Sequence, residues 1–189
     1  MDTDLARDYF ERGYAALRAD DFHEAVACFS RAIDLKPNVA AGYRYRAFAY
    51  LGRRDRPAAL KDFAEAIRLK PDDSQLRLER GLEYYKQRSY DAAAADCDAA
   101  LRHDPGRADV LGLRGRCFAA LGDSGKALAD FAAALTQDPD HAPVYRVFRG
   151  VLLMELGRVA DARADAQAAL VADPDYAPAR HLLANLSGV

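Results

Sequence analysis

Prolines recur along this chain at Pro37, Pro71, Pro105, Pro139 and Pro174, so that successive ones stand 34, 34, 34 and 35 residues apart. A period of this size constrains the fold more than any other feature, because each period must be one supersecondary unit that buries its apolar face by stacking on the next. Ahead of each proline runs the same ladder of small residues, interrupted in four of the five copies by one larger side chain. It reads Ala25, Phe29, Ala32; Ala59, Phe63, Ala66; Ala93, Cys97, Ala100; Ala127, Phe131, Ala134; and Ala162, Ala166, Ala169. Twelve residues before each ladder stands another small residue (Gly13, Ala47, Gly81, Gly115, Gly150), directly preceded by an arginine every time. Each period is therefore two short elements.

Both elements have helical spacing. The ladder runs i, i+4, i+7, and Ile33, Ile67, Leu101, Leu135 and Leu170 widen the same face. Alanine suits the ladder because two helices approach to about 8 Å only where the contact column is small, with an adjacent aromatic filling the gap. The proline then stops the second helix, since it lacks an N–H and pushes the preceding residue out of the α region. After the fifth unit, residues 178–186 (PARHLLANL) form one more amphipathic helix with no partner to complete a pair.

The Ala, Phe, Ala, Pro columns with their upstream small residue and aromatic resemble the tetratricopeptide repeat. The resemblance covers about residues 6–176, with repeats at 6–39, 40–73, 74–107, 108–141 and 143–176. It implies a single all-α domain over 1–189: a right-handed α-solenoid of five helix-turn-helix repeats, closed by a capping helix at 177–187 that shields the last apolar edge. Three departures from the pattern carry expectations. The first-helix aromatic is Tyr9 and Tyr43 in two units but Arg77, Leu111 and Arg146 afterwards, which predicts looser packing there. Arg53 and Arg54 stand where other units carry Leu and Gly, which predicts a different end for that helix. The one extra residue falls at Ala142, in the linker, with Pro143 opening the next helix. At the start of the chain, Asp2 or Thr3 is placed to cap the first helix.

Composition narrows the partners. Lysine and arginine number 27 against 29 aspartate and glutamate, a net charge of −2, so no global field draws the chain to nucleic acid or an anionic membrane. No stretch approaches the roughly 18 uncharged apolar residues of a membrane span. Asp2 and Asp4 stand where a secretory signal carries basic residues, so the expected location is the cytoplasm. Cys28, Cys97 and Cys117, an odd number inside apolar-periodic segments, read as small buried hydrophobes with reduced thiols. The four histidines show no ligand spacing and no phosphate loop or nucleophile elbow is present, so the sequence predicts no metal, no cofactor and no enzyme. Arg53, Arg54 and Arg56 make a basic turn that reads as solvated.

Two patterns remain. The arginine column (Arg12, Arg46, Arg80, Arg114, Arg149) meets an acid sixteen residues on at Asp62, Asp96, Asp130 and Asp165, with Cys28 in the first unit. Facing helices would make these bidentate pairs that fix repeat geometry. The second pattern is a surplus apolar stripe on the first helices, rotated by one residue from the core stripe. The family resemblance places such a stripe on the concave surface, implying a peptide trough lined by Phe10, Tyr14, Arg44, Phe48, Leu78, Leu82, Tyr85, Lys86, Arg116, Val147 and Val151. Arg44 and Arg116 would there hold acidic groups or a C-terminal carboxylate. Phe10 and Tyr14 occupy the columns in which some family members clamp a chaperone's carboxyl terminus with lysine and asparagine, so that function is not carried over. The resemblance thus implies a protein-interaction scaffold binding a partner segment. The alternatives are a module that pairs with itself and a non-catalytic regulatory subunit of an enzyme complex.

Overall fold

The computed structural model describes residues 2–187, and its regular elements among these are eleven α-helices with no strand. In chain order they are α1 (Asp2–Arg18), α2 (Phe22–Leu35), α3 (Ala40–Gly52), α4 (Arg56–Leu69), α5 (Ser74–Lys86), α6 (Tyr90–His103), α7 (Ala108–Ala120), α8 (Ser124–Gln137), α9 (Ala142–Glu155), α10 (Val159–Ala172) and α11 (Ala177–Ser187). Odd-numbered helices up to α9 are the first helices of the five repeats. The helices cluster into two compact units, one ending at Glu83 and the other beginning at Tyr84.

Every first helix ends in the same way. Asp20, Arg54, Arg88, Gly122 and Gly157, one per repeat, take positive φ between 57° and 83°. The amide after each reaches back five residues to a carbonyl, as in Asp55 N to Tyr50 O at 2.8 Å and Asp123 N to Phe118 O at 2.9 Å, while the left-handed residue itself reaches back three. This is the double hydrogen bond of a Schellman motif, which satisfies the last carbonyls of the helix. Arg53 and Arg54 therefore do not end α3 differently, because backbone hydrogen bonds set the geometry and an arginine accepts it. Asp21, Asp55 and Asp123 then accept the amide three residues on, capping α2, α4 and α8. α1 already contains Thr3, which cannot be its N-cap, and the side chain of Asp2 lies outside the described residues. The extra residue is absorbed by α9, which has 14 residues where α3, α5 and α7 have 13. Ala142 is thus helical and Pro143 sits in the first turn, where its missing N–H costs nothing.

The ladder forms the seam. Ala25, Ala59, Ala93, Ala127 and Ala162 have no exposed surface. In the first unit Ala25 and Phe29 pack with Ala49, and Ala47, Ala59 and Phe63 form the next cluster. A Cβ placed on Gly115 would meet the Phe131 ring at 2.8 Å, so the upstream glycine is set by close approach. At Gly150 a Cβ would lie 2.6 Å from Leu182 Cδ2, the far end of a side chain that can turn aside. That leucine belongs to α11, whose Leu182 and Leu186 close over Leu153, Ala162 and Ala166 as the capping expectation requires. Arg163 Nη2 donates to Leu186 O at 2.8 Å and satisfies a terminal carbonyl of α11.

At the positions where the first-helix aromatic is replaced, other contacts stand in. Leu111 is buried, Arg146 lies 3.6 Å from Asp165, and Arg77 Nη2 donates to Pro71 O at 3.0 Å.

Candidate functional site

The arginine column is structural. Arg46 donates to both Asp62 oxygens at 2.7 and 2.8 Å, Arg114 to both Asp130 oxygens at 2.8 Å, and Arg149 to both Asp165 oxygens at 2.7 and 2.6 Å. Each pair joins the first and second helices of one repeat beside the seam. The remaining guanidinium nitrogen reaches the preceding repeat in two cases, Arg46 Nη1 to Ser30 Oγ at 3.0 Å and Arg114 Nη1 to Asp98 at 2.7 Å. Hydrogen bonds to these carboxylates raise the pKa of all three arginines, so none titrates. In the first repeat, where Cys28 replaces the acid, Arg12 binds Glu24 at 2.9 Å and the Cys28 thiol donates to the same carboxylate at 3.1 Å. Arg80 and Asp96 belong to different units.

The three cysteines are free and buried. Desolvation raises the Cys97 thiol pKa well above its ordinary range and pushes Cys117 up to about 12, which removes nucleophilic thiolate at neutral pH. Among the described residues no three metal-ligating side chains come together, and no helix is long and apolar enough to cross a membrane.

On the first unit, the surplus stripe builds an aromatic cluster. Tyr45 is its hub, with its ring 5.5 Å from Phe10, 5.3 Å from Tyr14 and 6.0 Å from Phe29. Phe48 stands edge-on to Phe63 at 5.6 Å and keeps part of its surface open, as does Leu82. Tyr14 is the most open, at 42% exposure. Leu78 is buried at 7% and is core. Arg44 is already matched: its guanidinium forks onto Glu79, with Nε–Oε contacts of 3.1 and 2.8 Å and a shorter one from Nη2, and Gln75 donates to the same carboxylate at 2.9 Å. That hydrogen bonding raises the Arg44 pKa. Arg56 of the basic turn is likewise tied to the buried Glu83 at 3.2 Å, while Arg53 and Arg54 are exposed.

On the second unit, Val147 joins the Ala169 and Ala179 cluster and is core, because the end of α10 and the start of α11 cover it. Val151 is exposed at 38% and Lys86 is exposed as well. Arg116 lies between two rings, its guanidinium carbon 4.3 Å from the centre of Tyr85 and 4.7 Å from that of Phe148. No carboxylate pairs with it among the described residues. It opens into a pocket of about 340 Å³ with Val151, Leu152 and Glu155 on its wall.

Sequence reading missed Tyr45, Phe148 and Glu79. All three occupy the same place in their repeats, but a column holding Glu11, Tyr45, Glu79, Leu113 and Phe148 shows no pattern to find. The one available signal was Glu79 with Glu83, two acids at i, i+4 on an otherwise core-facing side of α5.

The tetratricopeptide repeat family matches residues 6–39, 46–107, 78–142 and 143–185. No curated protein matches the chain in sequence. Among solved structures, YrrB, described as a TPR protein with an unusual peptide-binding site, is 22% identical with a TM-score of 0.75 over 92% of this chain and 89% of its own. MamA from Desulfovibrio magneticus RS-1 is 17% identical at 0.83 over 92% and 98%, and pilF of Pseudomonas aeruginosa 16% identical at 0.81 over 99% and 85%. At such identities the likeness is one of fold. With the family matched over most of its length and helices paired in its register, this chain belongs to the tetratricopeptide repeat family.

Proposed function

We propose that the chain is a non-catalytic scaffold that holds a segment of a partner protein against the first-helix faces of its repeats. One observation carries this reading. Arg116 is fixed between two aromatic rings, half-buried, at the wall of a pocket and without an acid, whereas Arg44, Arg46, Arg114 and Arg149 are each matched to one. A partly desolvated cation with stacked faces and open N–H edges is poised for an anion from outside, and a peptide supplies one as an acidic side chain or a C-terminal carboxylate. The peptide-binding site of YrrB supports the use of this fold for such a segment. Capture of a partner by the intact chain should weaken roughly tenfold or more on Arg116→Glu, a loss of more than about 1.4 kcal/mol, and stay unchanged on Arg53→Glu at the exposed turn. Equal loss at both positions, or none at either, would move the site elsewhere.

Self-association is the second reading. It is favoured by an apolar pocket of about 380 Å³ on the first unit, walled by Ala6, Phe10, Ile33 and Val39. Light scattering separates the two readings, since a monomer down to low micromolar concentration removes the second.

A further inference from the structure

The last helix does more than cover the final repeat. α9 and α11 leave between them a slot of about 450 Å³ walled by Val147, Val151, Met154, Pro178, His181 and Leu182, with almost no polar surface. Val151 lines both this slot and the Arg116 pocket, and its side chain is exposed, so within the second unit the two spaces meet across one residue. The Arg116 pocket lies between α7 and α9 and the slot between α9 and α11, so the two are neighbouring grooves that share Val151. They are thus about one interhelical spacing apart, 8–10 Å, which roughly three residues of extended peptide span. Glu155 adds a third element. It is exposed on the wall of the Arg116 pocket, and no cation pairs with it among the described residues, so one carboxylate is offset by Arg116 while further acids in the same pocket meet net repulsion.

We propose, resting on the scaffold reading above, that this face of the second unit reads a two-part motif in its partner: one carboxylate seated on Arg116 and an apolar side chain about three residues away in the α9/α11 slot, with runs of acid rejected by Glu155. The charge complement fixes the class of occupant. A neutral apolar segment leaves Arg116 unmatched, and a polyacidic one meets Glu155.

The test uses the full chain and fluorescein-labelled Gly/Ser octapeptides carrying one Glu and one Leu three residues apart, read by anisotropy. Removing either peptide residue, by Glu→Gln or Leu→Ser, should weaken binding roughly fivefold or more, as should replacing the linker by further Glu. On the protein side, Arg116→Met keeps the stacked bulk without the charge, and Asn185, an exposed residue of α11 that also lines the slot, fills it as Asn185→Trp; each should weaken the parent peptide, with helicity unchanged by circular dichroism. Loss on Arg116→Met alone would overturn the two-part motif and leave the scaffold reading standing. No binding of the parent peptide, or tighter binding of the acidic one, would overturn the motif as stated, while the partner capture above still tests the scaffold reading. A dimer dissolved by Asn185→Trp would make a second copy of the chain the occupant and likewise overturn it.

Discussion

Arg44 and Arg116 project from the first helices of the second and fourth repeats, yet one is matched to an acid inside the fold and the other lines an open pocket without one. The difference lies in the helix that follows. α5 answers Arg44 with Glu79, one register position along in the next repeat, and the fork between them is closed by Gln75. The position of the fifth repeat that stands to Arg116 in the same way is Leu152, which is buried in the Phe131 cluster and offers no charge. In its place Tyr85 and Phe148 supply ring faces, which hold a guanidinium in position without satisfying its N–H groups. A cation on the first-helix face of a repeat array thus says nothing of ligand binding until the facing position of the next repeat is read with it.

The sharpest way to break this comparison is to remove each arginine. Arg44→Met leaves the Glu79 carboxylate, 8% exposed, with Gln75 alone, and should destabilise the chain by about 2–3 kcal/mol in urea. This is below the value for a fully buried pair because the Arg44 side chain keeps 31% of its surface in water. Arg116→Met should cost no more than about 1 kcal/mol, the worth of its ring contacts. A reversed order, with Arg116 the more costly, would make it the structural residue. The complementary change, Glu79→Gln, sharpens the same point. It should free Arg44 to take an acidic peptide on the first unit, seen as a second binding event that the parent chain lacks.

Next in size is a change in what the units share. Ala59→Leu in the first and Ala93→Leu in the second should each cost about 1–3 kcal/mol by overpacking a seam with no exposed surface. Melting temperatures that fall in one unit and not the other would mean that the seam is not equally tight in both.

How much of this the sequence discloses follows from where the information lies. The seam was legible because Ala25 and its counterparts recur at fixed spacing and because only small residues fit there. The pairs Arg46–Asp62 and Arg114–Asp130 were legible because the partners sit sixteen residues apart within one repeat. Arg44–Glu79 was not, since its partners are 35 residues apart and one register position out of step, a relation that only packed helices reveal. Leu78 and Val147 fall in the same first-helix column as Phe10 and Arg44. At these two positions the stripe is apolar for packing, and periodicity cannot divide a packing role from a binding one.

The smallest expected effect concerns the turns, and it also separates the units by composition. The left-handed residue is Asp20 and Arg54 on the first unit and Arg88, Gly122 and Gly157 on the second, at closely similar φ. A side chain there crowds its Cβ against the following carbonyl, at roughly 1 kcal/mol for a non-glycine residue. Gly122 and Gly157 have no atom within 4 Å of the Cβ they lack, so neighbours neither forbid nor reward a side chain and the backbone alone decides. Gly122→Ala should therefore lose about 1 kcal/mol. Arg54→Gly should gain about half as much, because relief of the left-handed strain is partly offset by the freer unfolded chain. Arg54 is exposed, so its charge adds little to either side. Matched changes of opposite sign in urea midpoints would show the same strain in both units. A loss on Arg54→Gly would instead mean that the arginine stem packs along the end of α3, making the first unit's turn a contact and not merely a strained connection.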